Sequence, residues 1–176
     1  RVKGYKILDT PQNAFLPNQC LNVKVLKDII TKGVEELKCK REDIYISLWS
    51  PKAVVRERKL PKVKPREMLH LVKYEAEEFL PQGIKDFTID YKVIGEYTED
   101  PSMFRVLIVA VPKEIIESYM ELIEVCGLKL KAIDIFSNSI YKFGKIYCLK
   151  EEFNTLIVDI GGKHTKAFIF TNKEYF

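Results

Sequence analysis

The sequence predicts a mixed α/β fold with at least two cooperating sheets. Helical apolar spacing and short strand-like runs alternate along the whole chain. Residues 104–111 are apolar at even and odd positions, which is typical of a strand buried on both faces. The composition, 47% hydrophobic and 31% charged, suits a soluble protein that forms a core.

Length, charge and hydropathy exclude several classes of protein. The chain has 176 residues and a net charge of +4, which is too small and too mixed for a nucleic-acid-binding protein. No apolar run approaches the roughly 18–20 residues of a membrane span, and no signal peptide is apparent. The chain begins at Arg1 and stops at Phe176 inside an apolar run, so the sequence is expected to be a fragment.

The cysteines predict a reducing compartment, most simply the cytoplasm. They are widely spaced and form no Cys-x-x-Cys pair. With two histidines as the available nitrogen ligands, the spacing disfavours a zinc site. The four cysteines are Cys20, Cys39, Cys126 and Cys148.

The first half of the chain alternates between helices and strands. Residues 5–8 resemble a short strand, and Asn22 is placed to cap a helix whose apolar stripe runs from Val23 to Leu37. Strands are expected at 44–48 and 53–59. Pro65 suits the first turn of a second helix, which is predicted to reach residue 79.

The second half continues the alternation. Strands are predicted at 87–93 and 104–111, and Pro112 opens a helix that Gly127 ends in the left-handed conformation. A strand at 128–135, a helix at 138–148 and strands at 155–160 and 165–170 follow. A further strand begins at 174–176.

The sharpest chemical signal is the segment that joins the last two full strands. Asp159 ends an apolar strand that we expect to be buried, Gly161 and Gly162 follow, and Thr165 opens the return strand. Glycines let backbone N–H groups approach phosphate oxygens, and a carboxylate at a strand end can hold Mg²⁺ through water. A plain hairpin with a solvated Asp159 explains the same residues, and the residue types alone leave both interpretations open.

Other charged clusters favour structural roles. Residues 51–66 hold seven basic residues and one acid, Glu57, which suits either a basic binding patch or the solvated edge of a small sheet. The edge is favoured, since no aromatic residue is interleaved for stacking on bases. Glu75, Glu77 and Glu78 resemble a wet helical face, and Trp49 favours packing over ligand contact.

The chain resembles the PilM family, the actin-like proteins of type IV pilus assembly, and more distantly the FtsA family of cell-division proteins. Five matches occur in the family's order. They are RERKLPK at 56–62, VKYEAEEFLP at 72–81, DYKVIG at 90–95, VAVPK with CGLK at 109–113 and 126–129, and VDIGG at 158–162.

The resemblance implies an actin-like ATPase fold of the ribonuclease H-like type, present as a fragment. Residues 1–50 and 113–150 would belong to subdomain 1A, and 51–112 would form an inserted strand–helix–strand–strand subdomain 1C. Residues 151–176 would begin subdomain 2A with the second phosphate hairpin.

On this resemblance, Asp159, Gly161, Gly162 and Thr165 would contact the phosphates of ATP in the full-length protein, with Asp159 holding Mg²⁺ through water. The sequence departs from the family pattern at Lys163 and His164, where small or hydroxyl residues are expected. Hydrolysis needs phosphates clamped from both sides. We therefore expect the full-length protein to be at most a weak ATPase and the 176-residue chain to be inactive.

The resemblance also implies a scaffold at the cytoplasmic face of the inner membrane, touching the membrane only indirectly. Its partners would be the N-terminal peptide of a PilN-like inner-membrane protein, captured in a groove between 1A and 1C, and other inner-membrane components of the pilus platform. The alternatives are an FtsA-like membrane adaptor of cell division and a phosphotransferase on the same fold. Residues 51–66 and 65–79 are candidates for the groove lining.

Overall fold

Helices and strands alternate through the described part of the chain. The structure is a computed structural model that describes residues 2–16, 18, 20–39, 43–80, 83–147, 154–162, 164–171 and 174–175. The elements in order are α1 Val23–Glu36, β1 Asp43–Leu48, β2 Val54–Pro61, α2 Pro65–Glu77, a 3-10 turn at Ile84–Asp86, β3 Phe87–Glu96, β4 Met103–Pro112, α3 Lys113–Val125, β5 Lys129–Ile135, α4 Phe136–Tyr147, β6 Thr155–Ile160, β7 Thr165–Thr171 and β8 Glu174–Tyr175.

The first layer is a parallel pair of strands, β1 and β5, covered by helices. Their register joins Asp43 to Lys129 and Leu48 to Ile135, with an irregularity after Ile44. α3 packs against β5 and α1, and α4 packs against β5 and β1. Parallel strands need such helical crossovers, because a tight turn cannot return the chain in the same direction.

The second layer is an antiparallel sheet of order β2-β4-β3 with α2 on one face. Its core consists of buried apolar side chains from α2, β2 and β4 and the segment after α2. They are Leu60, Met68, Val72, Ala76, Leu80, Val106, Ile108 and Ala110. β4 is the central strand and is buried on both faces, as its continuous apolar sequence predicts.

The third sheet contains the hairpin β6–β7, with β8 paired to β7. Phe168 lies edge-on to Phe136 with ring centroids 5.9 Å apart, and Phe170 stacks on Tyr141 at 6.1 Å. These rings attach one face of the hairpin to α4. The opposite face is exposed at Leu156, Val158, Ile160 and Ile169.

Local signals placed most elements correctly. Pro65 occupies the first turn of α2, Pro112 precedes α3, and Gly127 has a φ of +67°. The predicted order of strand, helix, strand and strand in residues 54–112 is confirmed.

Two local predictions are wrong. Residues 5–8 are not in a strand; they run alongside α1, where the Leu8 side chain lies so close to Gly33 that a Cβ there would be 2.8 Å from Leu8 Cδ1. Asn22 stands at the N-cap position of α1 but does not cap it with its side chain, which donates to the Asn13 carbonyl instead.

Within the described residues, no helix is both long and apolar enough to cross a membrane. The predicted end of α4 at Cys148 lies outside the described residues.

Candidate functional site

A groove separates the β1–β5 layer from the three-stranded sheet β2-β4-β3. It has a volume of about 460 Å³, within the rough range of 300–1,000 Å³ that ligand pockets span. Its apolar lining comes from both layers and from α3. These side chains are Leu48, Leu107, Val109, Val111, Ile116, Ile133 and Ile135.

The alternation of β4 explains why this floor exists. Val106, Ile108 and Ala110 face α2, so Leu107, Val109 and Val111 between them face the opposite side of the sheet. The neighbouring strand β3 adds Thr88, Asp90 and Lys92 on that same face, because they pair in register with Val111, Val109 and Leu107.

Polar side chains from β3, β5 and α4 form the rim. Lys92 Nζ donates to Asn138 Oδ1 at 3.1 Å, and Lys142 Nζ lies 2.6 Å from Asp134 Oδ2. Asn138 Nδ2 also donates to both Asp134 oxygens at 2.9 Å. A second cavity of about 260 Å³ continues past Lys92 toward Tyr141 and Lys145.

Two pKa shifts mark this rim. Burial lowers the pKa of the Lys92 ammonium, and the nearby positive charges of Lys142 and Lys145 lower it further. Burial by itself raises the pKa of the Asp134 carboxyl, but the hydrogen bonds from Lys142 and Asn138 outweigh it and its pKa lies below the ordinary value. The rim therefore concentrates cations around one strongly held carboxylate.

The groove is not lined by the two segments named as candidates from the sequence. No residue of 51–66 and none of α2 lines it among the described residues. α2 covers the opposite face of the sheet, and β2 is an edge strand, which confirms the edge interpretation of the basic run. Three of its seven basic residues pair with carboxylates. The pairs are Lys52 with Glu114, Arg58 with Glu75 and Lys62 with Glu96.

The second candidate region is the β6–β7 hairpin, where the phosphate-binding prediction falls. Asp159 pairs in register with Lys166, and Ile160 pairs with Thr165. Since opposite residues share a face and successive residues alternate, Asp159 and Thr165 lie on opposite faces. The structure therefore does not bring these two predicted phosphate ligands together on one face of the hairpin.

The glycines differ from each other. The Gly161 N–H donates to the His164 carbonyl at 3.0 Å and closes the hairpin, and a Cβ on Gly161 would lie 2.9 Å from that same oxygen. Gly162 has nothing within 4 Å of its ideal Cβ position. Gly162 is thus the glycine whose backbone a ligand can approach. Lys163 lies outside the described residues.

The strand β6 is less buried than its sequence predicts. Leu156, Val158 and Ile160 are exposed, whereas Asp159 is half-buried on the face that carries Phe168 and Phe170 against α4. This apolar strand was expected to be buried, but an antiparallel hairpin that packs on one side leaves every second side chain open.

Lys166 is the residue of this site that sequence reasoning missed. Its Nζ lies 2.9 Å from Asp159 Oδ2, 5.0 Å from the Trp49 ring centroid and 4.9 Å from the Phe136 ring centroid. The hairpin register could have identified Lys166, because a residue seven positions after Asp159 lies opposite it across a tight turn. Trp49 also contacts His164, with ring centroids 4.9 Å apart.

Comparison with known proteins places this geometry in a family. The model of the family described as "Type IV pilus assembly protein PilM" matches residues 1–176. The fold is similar to a solved PilM-PilN type IV pilus biogenesis complex, with a TM-score of 0.82 at 18% identity over 95% of this chain and 50% of that chain.

A second solved structure is more distant. It is the cytoplasmic domain of EpsL, an inner-membrane component of the type II secretion system of Vibrio cholerae, with a TM-score of 0.55 and 12% identity. The match covers 88% of this chain and 56% of that one. The chain thus spans about half the length of the solved structures that it matches.

Proposed function

Because the chain belongs to the PilM family of type IV pilus assembly proteins and has its actin-like mixed α/β fold, we propose that it is an adaptor that captures the N-terminal peptide of a PilN-like inner-membrane protein. The groove between the β1–β5 layer and the three-stranded sheet is the observation that carries the proposal. The chain is similar in fold to a solved PilM-PilN complex. A groove with an apolar floor and a polar rim also suits a peptide.

An extended peptide matches the chemistry of this groove. Every second side chain of the peptide can enter the floor formed by Leu107, Val109 and Ile133. Its main-chain carbonyls can accept hydrogen bonds from Lys92 and Lys142, and its N–H groups can donate to Asp90 and Asn138. The rim therefore fixes the direction of the peptide and the floor supplies the apolar burial.

The experiment is a titration of the chain with a peptide of about the first 12 residues of the PilN-like protein from the same genome, measured by fluorescence anisotropy. We expect Val109→Lys to weaken binding more than tenfold, because it places a charge on the apolar floor. Ile160→Lys is the matched control, since Ile160 is apolar and 81% exposed on the hairpin away from the groove.

A second variant, on the rim, tests the proposal independently in case Val109→Lys does not fold. Lys92→Ala removes a rim side chain that lies outside the apolar cores, so it should weaken binding by a few-fold while the protein stays folded. Failure of the wild-type chain to bind the peptide, or equal weakening by Ile160→Lys, contradicts the proposal.

The proposed site of action is the cytoplasmic face of the inner membrane, together with other inner-membrane components of the pilus platform. A captured N-terminal peptide tethers the adaptor to a membrane protein, so contact with the lipid itself is indirect. Co-sedimentation with membranes that contain the PilN-like protein, and its loss when the first 12 or so residues of that protein are deleted, tests this location.

We also propose that the full-length protein binds ATP at the β6–β7 hairpin. The open backbone at Gly162 suits a phosphate oxygen, and Asp159, Gly161 and Thr165 remain the other predicted contacts. Asp159 is also the residue that would hold Mg²⁺ through water, and in this structure its carboxylate lies 2.9 Å from the Lys166 ammonium.

A further inference from the structure

The second cavity, which continues from the groove past Lys92, forms a basic end of the groove. Its volume is about 260 Å³, and two lysines, Lys92 and Lys145, line it together with polar side chains of α4 and apolar side chains of β3 and β4. Among the described residues no carboxylate lines it, whereas Asp90 and Asp134 both line the larger cavity. The charges are therefore distributed unevenly along the groove, and this end attracts an anion.

α4 presents one polar face to this end of the groove. Asn138, Tyr141, Lys142 and Lys145 follow one another at spacings of three and one residues and then three, so they share that face of the helix. From β3, Lys92 Nζ donates to Asn138 Oδ1 at 3.1 Å and lies 4.6 Å from the centroid of the Tyr141 ring. An amide and an aromatic ring thus hold the Lys92 ammonium at the wall of the cavity.

Neither lysine of this cavity is paired with a carboxylate. Within the part of the chain that the structure describes, the Asp134 carboxylate pairs with Lys142, and no ion pair includes Lys92 or Lys145. Burial lowers the pKa of Lys92, and the positive charges of Lys142 and Lys145 lower it further, although Asp134 acts in the opposite direction. These ammonium groups therefore repel one another, and a carboxylate that enters the cavity relieves the repulsion.

We propose that Lys92 and Lys145 form a subsite for an acidic side chain of the captured peptide, and that this subsite selects the peptides that the groove accepts. This rests on the peptide-capture part of the proposed function. Leu107 lines both cavities, so the acidic residue binds next to the apolar side chain that contacts Leu107. Side chains on one face of an extended peptide are two residues and about 7 Å apart. The preferred peptide therefore carries Asp or Glu two positions from its last apolar floor residue.

The first test changes the peptide and leaves the protein as it is. The N-terminal peptide of about 12 residues from the PilN-like protein is compared, by fluorescence anisotropy, with versions in which one Asp is replaced by Asn or one Glu by Gln. We expect one of these replacements to weaken binding about three- to fivefold, as is typical of a partly exposed ion pair. Added NaCl should weaken binding of the unchanged peptide more than binding of that amide version.

The second test changes the protein. Lys145→Met keeps the aliphatic stem of an exposed side chain and removes its ammonium. It should bind the unchanged peptide about three- to fivefold more weakly and the critical amide version as tightly as the wild type does. Lys145→Glu should instead prefer a peptide with Lys at the critical position. Lys73→Met is the matched control, since Lys73 is exposed on α2, which packs on the opposite face of the sheet, and lines neither cavity.

The outcomes separate the acidic subsite from peptide capture itself. Equal binding of all amide versions, or binding of a PilN-like peptide that contains neither Asp nor Glu, overturns the acidic subsite and leaves capture standing. Equal weakening by Lys73→Met and Lys145→Met overturns it as well. Absence of binding by every peptide overturns the proposed capture, and the acidic subsite with it.

Discussion

Arg105 on β4 and Glu57 on β2 form a two-point ion pair across the three-stranded sheet. Arg105 Nε lies 2.7 Å from Glu57 Oε1, and Arg105 Nη2 donates to Oε2 at 3.2 Å. Arg105 is 8% exposed, so its charge is largely withdrawn from water. This pair keeps a buried cation on the same face of β4 as Leu107 and Val109, next to the floor of the groove.

Removing the carboxylate of this pair should destabilise the sheet. We expect Glu57→Ala to lower the free energy of unfolding by about 1–3 kcal/mol, because Arg105 loses two charge-assisted hydrogen bonds while staying buried. Urea unfolding followed by circular dichroism measures the loss. Glu96→Ala is the control, since Glu96 pairs with Lys62 but is 66% exposed, and it should change stability by less than about 0.5 kcal/mol. Equal effects of the two variants would refute the role of burial.

The two glycines of the hairpin should respond differently to alanine. A Cβ on Gly161 would lie 2.9 Å from the His164 carbonyl oxygen, whereas one on Gly162 meets nothing within 4 Å. We expect Gly161→Ala to speed hydrogen exchange of the β6 and β7 amides, because the turn must open to accept the methyl group. Gly162→Ala should exchange as the wild type does. Unchanged exchange in Gly161→Ala would contradict the close approach.

Stability should depend on the ionisation of Asp134. The pKa of the Asp134 carboxyl is lower in the folded state than in the unfolded state. The ionised carboxylate therefore stabilises the fold fully above the unfolded-state pKa, and this stabilisation is lost as the pH falls through the folded-state pKa. The melting temperature of Asp134→Asn should therefore lie below that of the wild type at about pH 7, and the difference should shrink toward about pH 3. A difference in melting temperature that stays constant across this pH range would mean that the charge of Asp134 does not stabilise the fold.

Lys92 should titrate at a lower pH than an ordinary surface lysine. Its pKa is lowered by burial and by Lys142, so replacing that neighbour in Lys142→Met should raise it. NMR of ¹³C-dimethylated lysines gives the titration midpoint of Lys92 in each protein. The titration midpoint of Lys92 should be lower in the wild type than in the variant. Identical midpoints in both proteins would show that Lys142 does not act on Lys92.

The elements of this fold follow from local signals, and for that reason most were predictable. Proline and glycine fixed the ends of helices at Pro65, Pro112 and Gly127, where backbone geometry leaves few alternatives. The strand once expected at 5–8 shows the limit of local reasoning. In the structure this segment packs on α1 instead of pairing with another strand.

The groove could not be predicted in the same way. Its residues come from β1, β3, β4, β5 and two helices, and no sequence pattern records that these segments meet. The basic residues of 51–66 are close together in sequence, but the fold pairs three of the seven with carboxylates and places none of them in the groove. At the hairpin, the motif located Asp159, but only the cross-strand register revealed that Lys166 is its partner.

The alternation of β4 separates two kinds of constraint on a single strand. Even-numbered positions from Val106 to Ala110 pack in the core between the sheet and α2, whereas Leu107, Val109 and Val111 line the groove. Under the proposed function, the odd positions can diverge together with the captured peptide while the even positions stay constant. Substitutions at alternate residues of one strand would then change the peptide that is bound, at little cost to the fold.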